Sequence, residues 1–142
     1  MEVDLSSLIK AVIQLRDYWE LSQADEIKAQ PKLLLAVRAG TIQAFEFTYE
    51  LAFKTLARHL EDSEPGSLKV KDSSFYDIIR LGNVRGLLNA EISVWKNFRS
   101  NRGSTSHAYD NNIAQSVYDS IPDFLNEVEY LTKMLIAQQE ND

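Results

Sequence analysis

The chain contains no cysteine. Disulfide stapling, thiolate catalysis and cysteine-built metal sites are thereby excluded. Histidine is almost as scarce. Only His59 and His107 occur, too few for a histidine-based metal centre in one chain. Long apolar runs are missing as well: no stretch approaches the roughly 18 residues of a membrane span. The start, "MEVDLSSLIKAVIQL", has neither the basic opening nor the small-residue cleavage site of a secretion signal. Gly-rich phosphate loops and dinucleotide fingerprints are also absent, as are repeats and low-complexity tracts. The expectation is a soluble, cytoplasmic protein that does not engage a membrane and carries no cofactor.

What remains is ordinary in bulk and uneven in detail. The 142 residues are 44% hydrophobic and 25% charged, enough for a single domain over 1–142 with a real core. The net charge of −6 argues against general coating of nucleic acid. Its distribution says more. Residues 1–68 carry −4 and residues 108–142 carry −6, while residues 69–107 carry +4. A local anion site on an acidic protein fits this pattern, and so do neighbouring helices that pair opposite charges.

Periodicity indicates helices throughout. Leu5, Leu8, Val12, Leu15 and Trp19 step by three and four, predicting a helix from about Asp4 to Leu21. Pro31 can open a second, long helix reaching about Glu61. Inside it, "FEFTYELAF" alternates as a strand would. The flanks decide for a helix, because they are rich in Leu, Ala and Lys and hold one glycine, Gly40. Val37, Phe45, Tyr49, Ala52, Leu56 and Leu60 then share one face, while Phe47, Leu51 and Phe53 lie elsewhere. A helix apolar on several sides is central in a bundle or shared with a second subunit.

After the loop "EDSEPGS", a short helix is predicted from about Ser73 to Leu81. Asp72 or Ser73 would cap it, and Phe75, Ile78 and Ile79 would face inward. Another is expected from about Asn89, as its own cap, to Arg99, with Ile92, Trp95 and Phe98 on its buried side. Asp110 is a credible cap for the last helix, where Ile113, Val117, Ile121, Phe124, Val128, Leu131 and Leu135 line up. Pro122 should kink or break that helix. The predicted fold is all-α, an up-and-down, mostly antiparallel bundle of about five helices.

The stretch "SNRGSTSHAYD" (100–110) joins the last two helices and is the best candidate for chemistry. The guanidinium of Arg102 matches a phosphate. The imidazole of His107 can move a proton near neutral pH. Together they could split a phosphodiester without a metal. On an ideal helix the two lie about 140° apart, so they converge only if the helix ends between them, and Gly103 is placed to end it. A solvated interhelical loop fits the same residues. Glu46 and Glu50, one turn apart, could share a metal or a proton, or pair with a neighbour such as Lys54. His59 reads as structural. A Ser106–His107–Asp110 hydrolase triad is rejected, since consecutive residues rarely hold that geometry.

"QAFEFTYELAFKTLARHL" (43–60) and "RGSTSHAYD" (102–110), on a helical chain of this length, resemble the HEPN superfamily. More narrowly they resemble its nucleotidyltransferase substrate-binding proteins, relatives of the HepT toxins. The resemblance spans roughly residues 5–135, and its specific part is Arg, four residues, His, one residue, Tyr. It implies a homodimeric helical bundle that partners a minimal nucleotidyltransferase encoded beside it. It also implies that Arg102 and His107 are a catalytic pair acting on RNA, and that Tyr109 accepts AMP from the partner, which silences cleavage. Many relatives have a polar residue after the motif arginine, where this chain has Gly103. That departure weighs against RNase activity more than against fold or partner.

Three readings follow. The first is a partner subunit that binds a nucleotide or single-stranded RNA through Arg99, Asn101, Arg102, Ser106 and His107, one half of a toxin–antitoxin-type pair. The second is a metal-independent RNase toxin using Arg102 and His107 and silenced at Tyr109. The third is a structural adaptor without chemistry. Gly103 puts the binding subunit first.

Overall fold

The computed structural model describes residues 3–63 and 74–141. Among them are seven α-helices, one 3₁₀ turn and no strand. In chain order these are α1 (Ser6–Gln23), the single turn α2 (Asp25–Lys28), α3 (Pro31–Ser63), α4 (Phe75–Val84), α5 (Ile92–Ser104), the 3₁₀ turn Thr105–His107, α6 (Asn111–Asp119) and α7 (Ile121–Glu140). No helix of the described residues is long and apolar enough to cross a membrane.

The long α3 is the spine. Its alternating stretch is helical, and burial shows why. A strand would put Phe45, Phe47 and Tyr49 on one face. Instead Phe45 and Tyr49 are buried, one turn apart, while Phe47 is 56% exposed. Thr41 and Thr48 fit inside the helix because their hydroxyls donate to the carbonyls of Val37 and Ala44, each at 2.7 Å. The expected face is core from Phe45 to Leu60, while Val37 is only half-buried.

α1 runs antiparallel to α3: Thr48 lies against the Ala11 carbonyl and Thr41 against that of Tyr18. α5 is also antiparallel to α3. The α6–α7 pair runs in the same direction as α3, with Arg38 near Asn111 and His59 near Gln138. The two meet through a connected set of rings. Phe124 stands edge-on to Phe45 (4.9 Å between centroids) and to Phe98 (5.2 Å), and Phe98 stands edge-on to Trp95 (5.4 Å). His59 is buried beside Gln138, in keeping with a structural role.

Several expected boundaries shift. The fourth helix is capped by Ser74, whose hydroxyl accepts from Asp77 N while the Asp77 carboxylate accepts from Ser74 N. The caps named from sequence, Asp72 and Ser73, and residues 64–67 of the predicted loop lie outside the described residues. Asn89 does not cap the next helix, which begins at Ile92 and has no capping side chain of its own. A carboxylate from α7 instead ties down the segment that leads into it. Buried Glu127 accepts from Asn89 N (3.2 Å), Ala90 N (2.9 Å) and the Trp95 indole (2.7 Å). Asp110 caps α6 through Asn112 N and Ile113 N. Pro122 sits in the first turn of α7, just after Ser120 breaks the last helix in two. There it lacks no needed donor.

Candidate functional site

The site lies where the C-terminal end of α5 crosses the middle of α3. α5 does not stop at Gly103. It runs through that residue to Ser104 and tightens into the 3₁₀ turn Thr105–His107. Gly103 has ordinary helical geometry, with open space where a side chain would begin. The helix does end between Arg102 and His107, but not through a left-handed glycine.

Arg102 faces α3. Its Nε donates to Glu50 Oε1 at 2.9 Å, and Nη2 donates to the same oxygen. Glu46 Oε2 lies 3.9 Å from Nη1. The Thr105 hydroxyl reaches Glu46 Oε2 and the Arg102 carbonyl oxygen. The two glutamates one turn apart on α3 therefore face a guanidinium, in place of the metal or Lys54 considered from sequence. Hydrogen bonding to Glu50 holds the Arg102 guanidinium above its ordinary value, so it stays cationic. Its side chain keeps 31% of its surface open, leaving room for a second anionic partner. Beneath it, burial pushes the Tyr49 phenol up to about 12, against the opposing pull of Arg99 and Arg102. It stays neutral in ordinary buffers.

His107 is exposed, and its imidazole makes no hydrogen bond or ion pair among the described residues. Its ring stands roughly edge-on to Tyr109, 6.1 Å between centroids. Tyr109 is 87% exposed, the most accessible large hydrophobic side chain among the described residues. The three motif residues thus share one surface segment, but no contact joins Arg102 to His107 directly. Of the other candidates, Arg99 stacks over Phe75 at 4.7 Å and stands apart from the glutamates. Ser106 is exposed and donates to the Gly103 carbonyl (3.3 Å). Asn101 is half-buried. Glu46, Glu50 and Thr105 enter the site beside the motif, and of the three only the glutamates stood out in the sequence. The i, i+4 glutamates were the only signal, and nothing in the sequence tied them to an arginine 52 residues away.

A helical bundle that carries an arginine, a histidine and a tyrosine at one helix junction defines a class, and comparison with known proteins gives that class its name. Residues 3–137 match the family of nucleotidyltransferase substrate binding protein-like chains, and the chain belongs to that family. Over 137 residues it is 34% identical to a Haemophilus influenzae protein named "Probable ribonuclease HepT", an alignment spanning 96% of this chain and 89% of the relative. A solved Haemophilus influenzae structure, described as having the fold of a substrate binding domain of a nucleotidyltransferase, superposes with a TM-score of 0.85. It is 34% identical and covers 93% of this chain and 98% of its own. A Thermus thermophilus structure superposes with a TM-score of 0.69 at 27% identity, over 90% and 98% of the two chains.

Proposed function

We propose that this chain is the partner subunit of a separately encoded minimal nucleotidyltransferase and is itself an RNA-cleaving subunit, with Arg102 and His107 as its catalytic residues. The observation that carries the cleavage half is the Glu50–Arg102 contact. The sequence ranked cleavage second because Gly103 offers no polar side chain beside the arginine. Glu50 and Glu46 orient the guanidinium from α3, so the arginine does not depend on position 103. The HepT name of the relative supports the same reading, and the substrate-binding family supports the partner.

In this chemistry the Arg102 guanidinium binds the scissile phosphate and stabilises the charge that gathers on its oxygens as the 2′-oxygen attacks. His107 takes the 2′-hydroxyl proton or delivers one to the departing 5′-oxygen. The products are a 2′,3′-cyclic phosphate and a 5′-hydroxyl. One histidine cannot stand on both sides of the phosphorus, so a homodimer with two copies of the segment at one cleft supplies the second proton carrier. Tyr109 stands clear of the fold, as an acceptor of AMP from the partner enzyme must.

End-labelled single-stranded RNA incubated in EDTA with the wild type and with His107→Ala tests the reading. Cleavage present in the first and lost in the second is expected. Equal products, or none from the wild type, would leave the chain a binding subunit only. For Tyr109, ATP and the verified active partner should raise the mass by one or more adenylyl units, and an unchanged mass would remove the silencing role.

A further inference from the structure

Beside the Arg102 site lies a cavity of about 300 Å³, lined by Arg38, Ala39, Ile42, Gln43, Glu46, Thr105, Ala108 and Ala114. We propose that it seats one nucleobase carrying an exocyclic amino group, the base of the nucleotide whose phosphate rests on Arg102. This inference rests on the cleavage reading above and adds a base preference to it.

Position is the first argument. Glu46 and Thr105 line the cavity and also touch Arg102, so a nucleotide held at the guanidinium lies beside this recess. The second argument is the wall. Ala39, Ile42, Ala108 and Ala114 offer an apolar face, and a flat ring is the part of a nucleotide that profits from one. Arg38 supplies a fixed plane at the rim, with Nη1 donating to Gln115 (3.0 Å) and Nη2 to Asn111 (2.9 Å). A guanidinium held this way can stack on a base. Charge gives the third. Glu46 at the rim repels a second phosphate, which leaves the neutral base as the group that enters. Glu46 Oε2 is taken by Thr105 and faces Arg102, whereas Oε1 has no partner among the described residues. A free carboxylate oxygen accepts from an amino group such as N4 of cytosine. It cannot accept from the O4 of uracil.

The cytosine–uracil pair isolates that edge. CMP and UMP should be titrated into the full-length protein, with binding read from the shifts of the Ala108 and Ala114 methyl signals. CMP is expected to bind roughly tenfold more tightly than UMP, the size of one charged hydrogen bond. Glu46→Gln should bring that ratio close to one. Ala39→Phe, a change at an exposed position that narrows the recess, should weaken both nucleotides while the circular dichroism stays the same. Equal wild-type affinities, a ratio that survives Glu46→Gln, or an unaffected Ala39→Phe variant would each overturn the base site. Its failure is distinct from failure of catalysis, since a CMP preference without RNA cleavage keeps the base site and removes only the RNase reading. An AMP group on Tyr109 would present the same kind of amino edge. If the adenylylated protein no longer binds CMP, the tethered adenine fills the recess; if it still binds, the base comes from RNA.

Discussion

α5 is held by carboxylates at both ends, and the two ends differ in almost everything else. At its start, Glu127 of α7 is 4% exposed and gives its oxygens to two backbone amides and an indole. At its finish, Glu50 of α3 is exposed and engages a side chain, Arg102, that itself stays half open. The same functional group does opposite work. Inside, the carboxylate serves two partly buried amides and the buried Trp95 indole, and removing it strands the indole. Outside, water can stand in for the carboxylate, and the open side of the guanidinium can take a phosphate beside it. The comparison teaches that the closed end fixes the helix and the open end is where a ligand can bind.

The contrast can be broken most severely at the closed end. Glu127→Ala should destabilise the fold by about 3–5 kcal/mol, because the buried Trp95 indole and two partly buried backbone amides lose their acceptor. Denaturant unfolding measures it. A loss below about 1 kcal/mol would mean that water already serves those donors. At the open end the effect moves from stability to chemistry. His107→Ala should slow RNA cleavage by about 100- to 10,000-fold and shift stability by less than about 0.5 kcal/mol, as expected for an exposed side chain. Paired rate and melting measurements separate the two.

Glu50→Gln sharpens the same distinction. Its contribution to stability should be under about 1 kcal/mol, the usual range for exposed pairs. It should lower kcat by roughly tenfold without weakening RNA binding, since a carboxylate beside a phosphate adds no attraction of its own. Faster cleavage in this variant would show that Glu50 restrains Arg102 instead of presenting it. The smallest effect is expected at Gly103→Ala. The glycine is helical and a methyl group meets nothing there, so the change should stabilise the protein by about 0.5–1 kcal/mol. A destabilised Gly103→Ala would mean that this turn needs backbone freedom that its geometry does not require.

The helices were legible because burial follows periodicity. Phe45, Tyr49, Ala52, Leu56 and Leu60 form the stripe that their spacing describes, and Phe47 falls outside it as a helix demands. Local chemistry was legible where it stays local, as with Asp110 capping α6 and Pro122 opening α7. What escaped was every partnership between distant segments. Asn89 looked like a cap, but it lies ahead of the helix and its own backbone N–H is held by Glu127, 38 residues on. Glu46 and Glu50 looked like a pair awaiting Lys54 or a metal, and the cation came from α5. The motif Arg102, His107 and Tyr109 could be read because it is contiguous. The glutamates that aim its arginine could not, because only packing brings α3 and α5 together.

The central claim is that the open end of α5 presents an oriented guanidinium to an RNA phosphate. Replacing Arg102 by lysine tests it most directly, because the charge stays and the planar fork goes. Rates on end-labelled single-stranded RNA in EDTA, beside melting temperatures of both proteins, are the measurement. The account predicts that Arg102→Lys cleaves at least about 100 times more slowly with an unchanged melting temperature. A lysine variant that cleaves as fast as the wild type would contradict it.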